Sequence, residues 1–599
     1  MAVGGPPVAS RCRCVFTWQT PALRLWLARG ILLGLVCVVL TSALQAYAGP
    51  AIPGLHSAFG RVTPPAPNTV PQARELVRGV KALEMPGASR LVVHQDERRA
   101  VIDWQSFDIG SDAAVHFDQR GNADWEALNR IFDQNPSQIF GQLTADGKVF
   151  LINPNGILFA PDAKVNLHAL VASALNLDID DFDIGLQRFT APDGQAPGPV
   201  ANYGTIETDS LGSVVLIGAD AENGGRIVAP SGKVALVAGD AVRIASDGSG
   251  GLAVTRTTGA GEDGVASNRE GGEIQTDSGW TGMFGRLVNQ DGMIQAVTAI
   301  RRNGQIVLAA DETVATGPYS TTTSPVSDSD EAEHESFGFS GGHIDVIAAR
   351  IEHRGEISAP SGTINLSANE RIYLDAGSRV DVSGNWVDEP ASRNVVQAQL
   401  NSVELRDDYG QKGRVLQGAT VSVDVREGSA VGDVSGHLTA EELTAEERST
   451  TGGIIQMTRP ANDFILRAGG TLDFAGGGFR FQEGQVETTK LLSGQRLYDL
   501  SEAPQWLHYD ALLDRQETVH ARYGVVDEFT GLYTGGAAPL KDYSTAYVQG
   551  SDAGQLLLMA RHVVLDGDLL GGVVRGYYQT EVEEADGAVG KREPVGGIL

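Results

Sequence analysis

From about residue 200 the chain repeats a unit of about 20 residues: a polar turn, a Gly-x-Ile step, a short turn holding Gly or Ser, and a strand of about five residues. Asn202-Tyr-Gly-Thr-Ile206 leads into Ser213–Ile217, and Asn223-Gly-Gly-Arg-Ile227 into Gly232–Val237. Asn289-Gln-Asp-Gly-Met-Ile294 leads into Gly304–Leu308, and His353-Arg-Gly-Glu-Ile357 into Gly362–Leu366. A unit this short cannot bury its own apolar face, so it must stack on its neighbours. Short strands with no intervening helix point to an all-β parallel β-helix, a solenoid whose inward Val, Ile and Leu form a continuous core. Gly and Asn are expected at the corners, where left-handed backbone is needed. A β-sandwich array is the weaker alternative, because two-residue Asn-Gly hairpin turns are few. Composition agrees: 74 glycines, 6% aromatics and 42% hydrophobic residues in 599 suit many short strands, and the length exceeds one ordinary globular core.

Upstream, Arg99–Ile109 alternates apolar and polar residues and reads as a half-buried strand. Asp124–Phe132 is compatible with one or two amphipathic helical turns. The apolar runs Val149–Ile152 and Ile157–Ala160 flank Asn153-Pro154-Asn155-Gly156, a tight β-turn by its residue types. Residues 51–90 are Pro-rich and weakly patterned, so order is expected from near Ser89. Segments 386–450 and 480–548 break the rhythm as excursions, with coil-like text returning at Gly452–Met457, Phe464–Leu472, Gly554–Met559 and His562–Asp566. The stop at Gly596-Gly-Ile-Leu599 would leave an open edge, as expected of the front part of a longer protein.

Residues 1–48 read as a signal peptide: Arg24 and Arg29, the apolar run Ile31–Leu40, then Ala46-Tyr47-Ala48. An uncleaved anchor is the alternative. Cys12, Cys14 and Cys37 all lie in this segment, so a cleaved chain has no thiol for zinc, catalysis or disulfides. The net charge of −29 excludes a basic nucleic-acid footprint. The acidic run from Ser327 to Glu333 lacks the spacing of a calcium loop and is expected to be solvated. No nucleophile elbow, P-loop, zinc-helix motif or dinucleotide fingerprint is present, so no catalytic residue, metal site or cofactor is assigned. His343 and His353 are expected at the surface. Asp178, Asp180, Asp181 and Asp183 are expected in a solvated turn. A carbohydrate-active β-helix enzyme, a polysaccharide lyase or hydrolase using such carboxylates, is the alternative to a non-enzymatic protein.

Five motifs in fixed order carry a specific resemblance. They are Ala100–Gly110, Ala127-Leu-Asn-Arg130, Asn135-Pro-Ser-Gln-Ile139, Gly141-Gln-Leu143 and Val149-Phe-Leu-Ile-Asn-Pro-Asn-Gly-Ile157. Together they resemble the filamentous haemagglutinin N-terminal domain, the two-partner secretion domain of large bacterial exoproteins. The resemblance implies a right-handed parallel β-helix with extra-helical loops or hairpins. It also implies passage through the periplasm and then through an outer-membrane β-barrel transporter of the Omp85 class, to a secreted or cell-surface location. It places a secretion signal on Asn153, Pro154, Asn155, Gly156 and Ile157, and a second on Asn135 and Pro136, where Asn-Pro-Ser departs from the Asn-Pro-Asn-Leu of some members. Those turns either contact the transporter or only permit the first coils to fold. The expected organisation is secretion domain 49–320 and shaft 321–599. The expected activity is that of a haemagglutinin-like adhesin, with a host-cell or carbohydrate receptor met through the excursions.

Overall fold

The computed structural model describes Phe59, residues 62–579 and residues 593–599, less 249–250, 258–263, 300–302, 328–338, 400–414, 417, 425, 427–428, 430–442, 505, 521–524 and 534–539. The expected signal peptide, the cysteines and most of the acidic run lie outside the described residues.

The described chain is a parallel β-helix with three ladders. One ladder stacks Ala114–Asp118, Gln142–Ala145 and the first half of Lys164–Ser173, then Thr205 onward, Arg226–Val228, Glu273–Asp277 and Met293–Val297. The second stacks Lys148–Ile152, Ala169–Ser173, Ser213–Gly218, Lys233–Ala238, Trp280 onward and Gln305 onward. The third stacks Ser137–Ile139, Ile157–Phe159, Val200–Asn202, Ala221–Asn223 and Val265–Asn268. All of these pairings are parallel and in register. The Gly-x-Ile step of the repeat is a vertical stack, Val165, Ile206, Ile227, Ile274, Ile294, Thr322, Ile357 and Val380. Those apolar members are buried in one continuous core.

The corners meet expectation in part: Gly271, Gly377 and Gly469 hold left-handed φ, of +81°, +85° and +88°, whereas other corners do not use glycine for it. Ser231, Ser278, Ser361 and Leu211 hold left-handed φ there, between +51° and +67°. Each precedes a glycine whose own φ is ordinary. The glycine is needed for approach: a Cβ on Gly232 would strike the carbonyl of Gly212, one on Gly362 that of Gly342, and one on Gly453 that of Gly362. The repeat's Asn202 and Asn223 point inward, whereas Asn289 is half-buried and its neighbour Gln290 takes the inward position. Asn202, Asn223, Asn268 and Gln290 stack with no exposure, and each side-chain amide donates to the next residue's side-chain oxygen at 2.9, 2.8 and 2.9 Å. The same register position continues through Thr316 to His353. His353 is fully buried, not at the surface. Its Nδ1 lies 2.7 Å from Thr316 Oγ1, and Nε2 is 3.1 Å from the Arg379 carbonyl.

The continuous apolar runs have a physical cause. The second ladder is covered outside by an antiparallel plate made of Asn176–Leu177, Gln187–Thr190, Ala241–Ser246 and Leu252–Thr257. Phe150, Ile152, Val215, Ile217 and Val237 point outward into it and pack with Phe182, Phe189 and Val242. Strands buried on both faces lose their polar alternation. The four aspartates sit on this plate as a short helix, Ile179–Asp183, capped by Asp178. Asp181 is buried against Arg188 at 2.9 Å and Asp183 pairs with Arg78. Three of the four carboxylates therefore have structural partners instead of forming a solvated turn.

Two further expectations change. Order does not begin at Ser89: Gln72–Arg78 and Val80–Gly87 are antiparallel strands laid on Arg99–Ser106 and Arg90–Gln95 at the first coil. Glu126–Ile131, compatible in sequence with one or two helical turns, is instead a strand parallel to Arg99–Ser106. Its Leu128 faces the plate cluster while Ala127 and Ile131 face the main core.

The excursions leave between consecutive coils. Thr363–Leu374 pairs directly with Ile454–Gln456 and Ala461–Leu466 across the first, and these pair with Gln555–Leu557 and Ala560–Leu565 across the second. The two excursions pack on each other. Leu416, Val421 and Val423 from the first share an apolar core with Leu491, Leu500, Tyr509 and Leu512 from the second.

Candidate secretion-recognition site

Asn153-Pro154-Asn155-Gly156 is a closed β-turn between two buried strands, with the Gly156 N–H donating to the Asn153 carbonyl at 2.9 Å. The Asn155 N–H donates to Asn153 Oδ1 at 3.0 Å, the side-chain-backed turn that Asn favours. Gly156 holds φ +109°, and a Cβ there would come within 2.5 Å of the Pro199 carbonyl. Two independent constraints therefore require glycine at this position.

The fold brings both sequence motifs together. Ile157 is in register with Ser137, so the second turn lies on the coil next to Asn135 and Pro136. Asn153 Nδ2 donates to the Asn135 carbonyl at 3.1 Å and to Ser137 Oγ at 3.0 Å. The Ser137 N–H donates back to the Gly156 carbonyl at 3.0 Å. Asn155 Nδ2 donates to the Asp133 carbonyl at 2.8 Å, and the Asn135 side chain donates to Asp133 Oδ1 at 3.1 Å.

Exposure divides the seven residues into two sets. Asn153, Gly156 and Ile157 are buried, while Asn135 is exposed and Pro136, Pro154 and Asn155 are half-buried. The buried set fixes the turn, and the other set forms its surface.

Sequence reasoning missed two contributors. Asp133 anchors both motifs, and Gln195 donates to Asn155 Oδ1 at 2.9 Å from the segment that leads into the next coil. Asp133 stands two residues before Asn135, the spacing of an Asx-turn, which is the one signal that could have found it. Gln195 has no such signal. Beside this edge Phe132 is 44% exposed, with Arg74 and Arg130 over its ring at 4.9 and 5.7 Å. Asp108, mostly buried where its Oδ1 accepts from the Gln138 N–H at 2.8 Å, has its pKa raised, chiefly by desolvation. Among the described residues no group of three His, Cys, Asp or Glu side chains is placed to hold a metal.

Comparison with known proteins finds matches over the span that holds these turns. The model of the TPS secretion domain matches residues 89–321. A heme/hemopexin-binding protein of Haemophilus influenzae is 38% identical over 120 residues, covering 20% of this chain and 13% of that protein. A second, from Haemophilus influenzae strain Rd, is 37% identical over 177 residues, covering 28% and 19%. The chain thus spans less than a fifth of the length of either relative. The crystal structure of the HMW1 secretion domain from Haemophilus influenzae covers 68% of this chain and 95% of its own, at 20% identity and a TM-score of 0.45. The motifs, the coil architecture and the matched span converge: residues 89–321 belong to the family of two-partner secretion (TPS) domains.

Proposed function

We propose that this chain is the exported part of a two-partner secretion system. Cleavage follows Ala48, residues 49–320 are read by an Omp85-class outer-membrane barrel, and residues 321–599 continue as a shaft. The observation that carries this reading is the joining of the two Asn-Pro segments on one edge of adjacent coils, with Asn135, Pro136, Pro154 and Asn155 accessible around a rigid buried base. The accessible set contacts the transporter, and Asn153, Gly156 and Ile157 hold that set in place. The shaft displays the paired excursions outside the cell as a haemagglutinin-like adhesin surface. The relatives named for heme and hemopexin match over too little of their length to assign this chain their cargo.

Export measurements with the partner transporter co-expressed test the division. Asn135→Ala is expected to lower protein in the medium roughly tenfold, the effect of losing one or two recognition hydrogen bonds, and Pro136→Ala to lower it through lost ring packing, with thermal stability unchanged in both. Asn153→Ala is expected to lower both export and stability, the latter by about 1–3 kcal/mol, because it strips partners from buried polar groups. If export falls only in step with stability across all three variants, the turn is a folding element and the recognition reading fails.

A further inference from the structure

The module built by the two excursions contains a cavity of roughly 300 Å³, lined by residues from both, with Tyr578 at its edge. We propose that this cavity binds a neutral pyranose, a single sugar unit of a host or microbial glycan. The inference rests on the displayed-adhesin reading and supplies the ligand class that reading lacks.

The floor is fixed before any ligand arrives. Asp424 and Arg426 form a buried pair, with Arg426 Nε 2.7 Å from Asp424 Oδ1. The guanidinium lies 4.4 Å from the centre of the Tyr547 ring and 5.1 Å from that of Tyr578. Arg426 Nη1 is buried and has no acceptor among the described residues. Beneath the cavity, Val423 and Leu500 belong to the apolar core shared by the excursions.

The wall is polar and pinned. Lys490, its side chain 12% exposed, sits between Asp499 and Asp542, 2.5 Å from Asp542 Oδ2. Thr488 Oγ1 donates to the same Oδ2 at 2.9 Å. Each carboxylate is about half exposed, so each keeps an oxygen at the surface beside the ammonium. Alternating acceptors and a donor at this spacing match vicinal hydroxyls, which both give and take hydrogen bonds. Tyr543, 63% exposed, offers a ring face for the C–H side of a pyranose.

Charge excludes the competing classes. Asp424 and Arg426 cancel, and one lysine against Asp499, Glu502 and Asp542 leaves two negative charges. A sialylated, sulfated or phosphorylated ligand would be repelled. A cation is pre-empted, because the Lys490 ammonium already stands between the two carboxylates. An apolar ligand would strip water from these charged groups without pairing them.

The test uses the purified chain and needs no transporter, so its failure and a failure of the secretion reading are separate results. Saturation-transfer NMR would be run with glucose, galactose, mannose and N-acetylglucosamine at about 10 mM, the range for a weak single-sugar site, with N-acetylneuraminic acid as the anionic probe. The expected result is ring-proton saturation of at least one neutral sugar and none of the anionic one. Tyr543→Ala and Glu502→Gln alter exposed side chains, and each is expected to weaken that signal at least about threefold with an unchanged circular dichroism spectrum. No saturation of any neutral sugar, saturation that survives both variants, or preferential binding of the anionic sugar would each overturn the proposal.

Discussion

The inward column from Asn202 to His353 shows how one register position can be polar through several coils without penalty. Each amide donates to the side chain of the next coil, so no buried group is left unpaired. His353 closes the column and is the member sensitive to pH. Desolvation lowers its pKa from the ordinary 6.5 to about 4, against a smaller opposing effect from its hydrogen bond to the Arg379 carbonyl. Between those values the unfolded chain binds a proton that the folded one does not. Stability is therefore flat above about pH 6.5 and falls as pH drops towards 4, by about 3 kcal/mol from this group. Urea titrations across that range, on wild type and His353→Leu, are the check. Leucine fills this position in later coils, at Leu374 and Leu466, and the variant should lose that share of the pH slope. Equal slopes would acquit His353. The sequence concealed this role because Asn-Gly and His-Arg-Gly read locally as turns. Only the register between coils, a non-local property, shows that the first residue of each points inward.

Among the elements, the corners carry a tight steric demand. Gly453 lies so close to Gly362 that a Cβ would meet its carbonyl and amide, whereas nothing lies within 4 Å of a Cβ on Gly572. Gly453→Ala should cost about 2 kcal/mol or more through backbone displacement, and Gly572→Ala well under 1 kcal/mol. Thermal midpoints of the pair would settle it, and equal losses would mean that the corner relaxes freely. Much of this level was legible in advance. The Gly-x-Ile step marks one core column, and the Asn-Pro-Asn-Gly turn closes as its residue types predict. What was not legible is the plate. Its strands, such as Gln187–Thr190 and Leu252–Thr257, are short and polar in part. They are defined by what they cover, and the only trace they leave in sequence is the missing alternation of Phe150–Ile152 and Val215–Ile217.

For the whole molecule, stacking means that stability is shared between neighbours and weakest at the most exposed rung. Val563, Val564 and Leu565 are 45%, 42% and 37% exposed on the Ala560–Leu565 strand, whereas Val214, Leu216 and Ile217 are fully buried. Amide hydrogen exchange should therefore run orders of magnitude faster at 563–565 than at 214–217, reporting opening from that rung inward. Uniform protection would instead show one cooperative unit. The secretion domain was readable at this scale because its motifs are fixed in order. The module was not, since the contact between residues 416–423 and 491–512 crosses a complete coil.

The plate's central seam joins Gln187–Thr190 to Ala241–Ile244, and the coils from Val200 to Ala238 lie between them in sequence. A chain winding from its N-terminus cannot close that seam until those coils are laid down. Once closed, the seam ties residues emerging early to residues emerging late across a finished stretch of solenoid. The plate is thus a latch, and it converts a stretch that could unwind turn by turn into one that must release its two turns together.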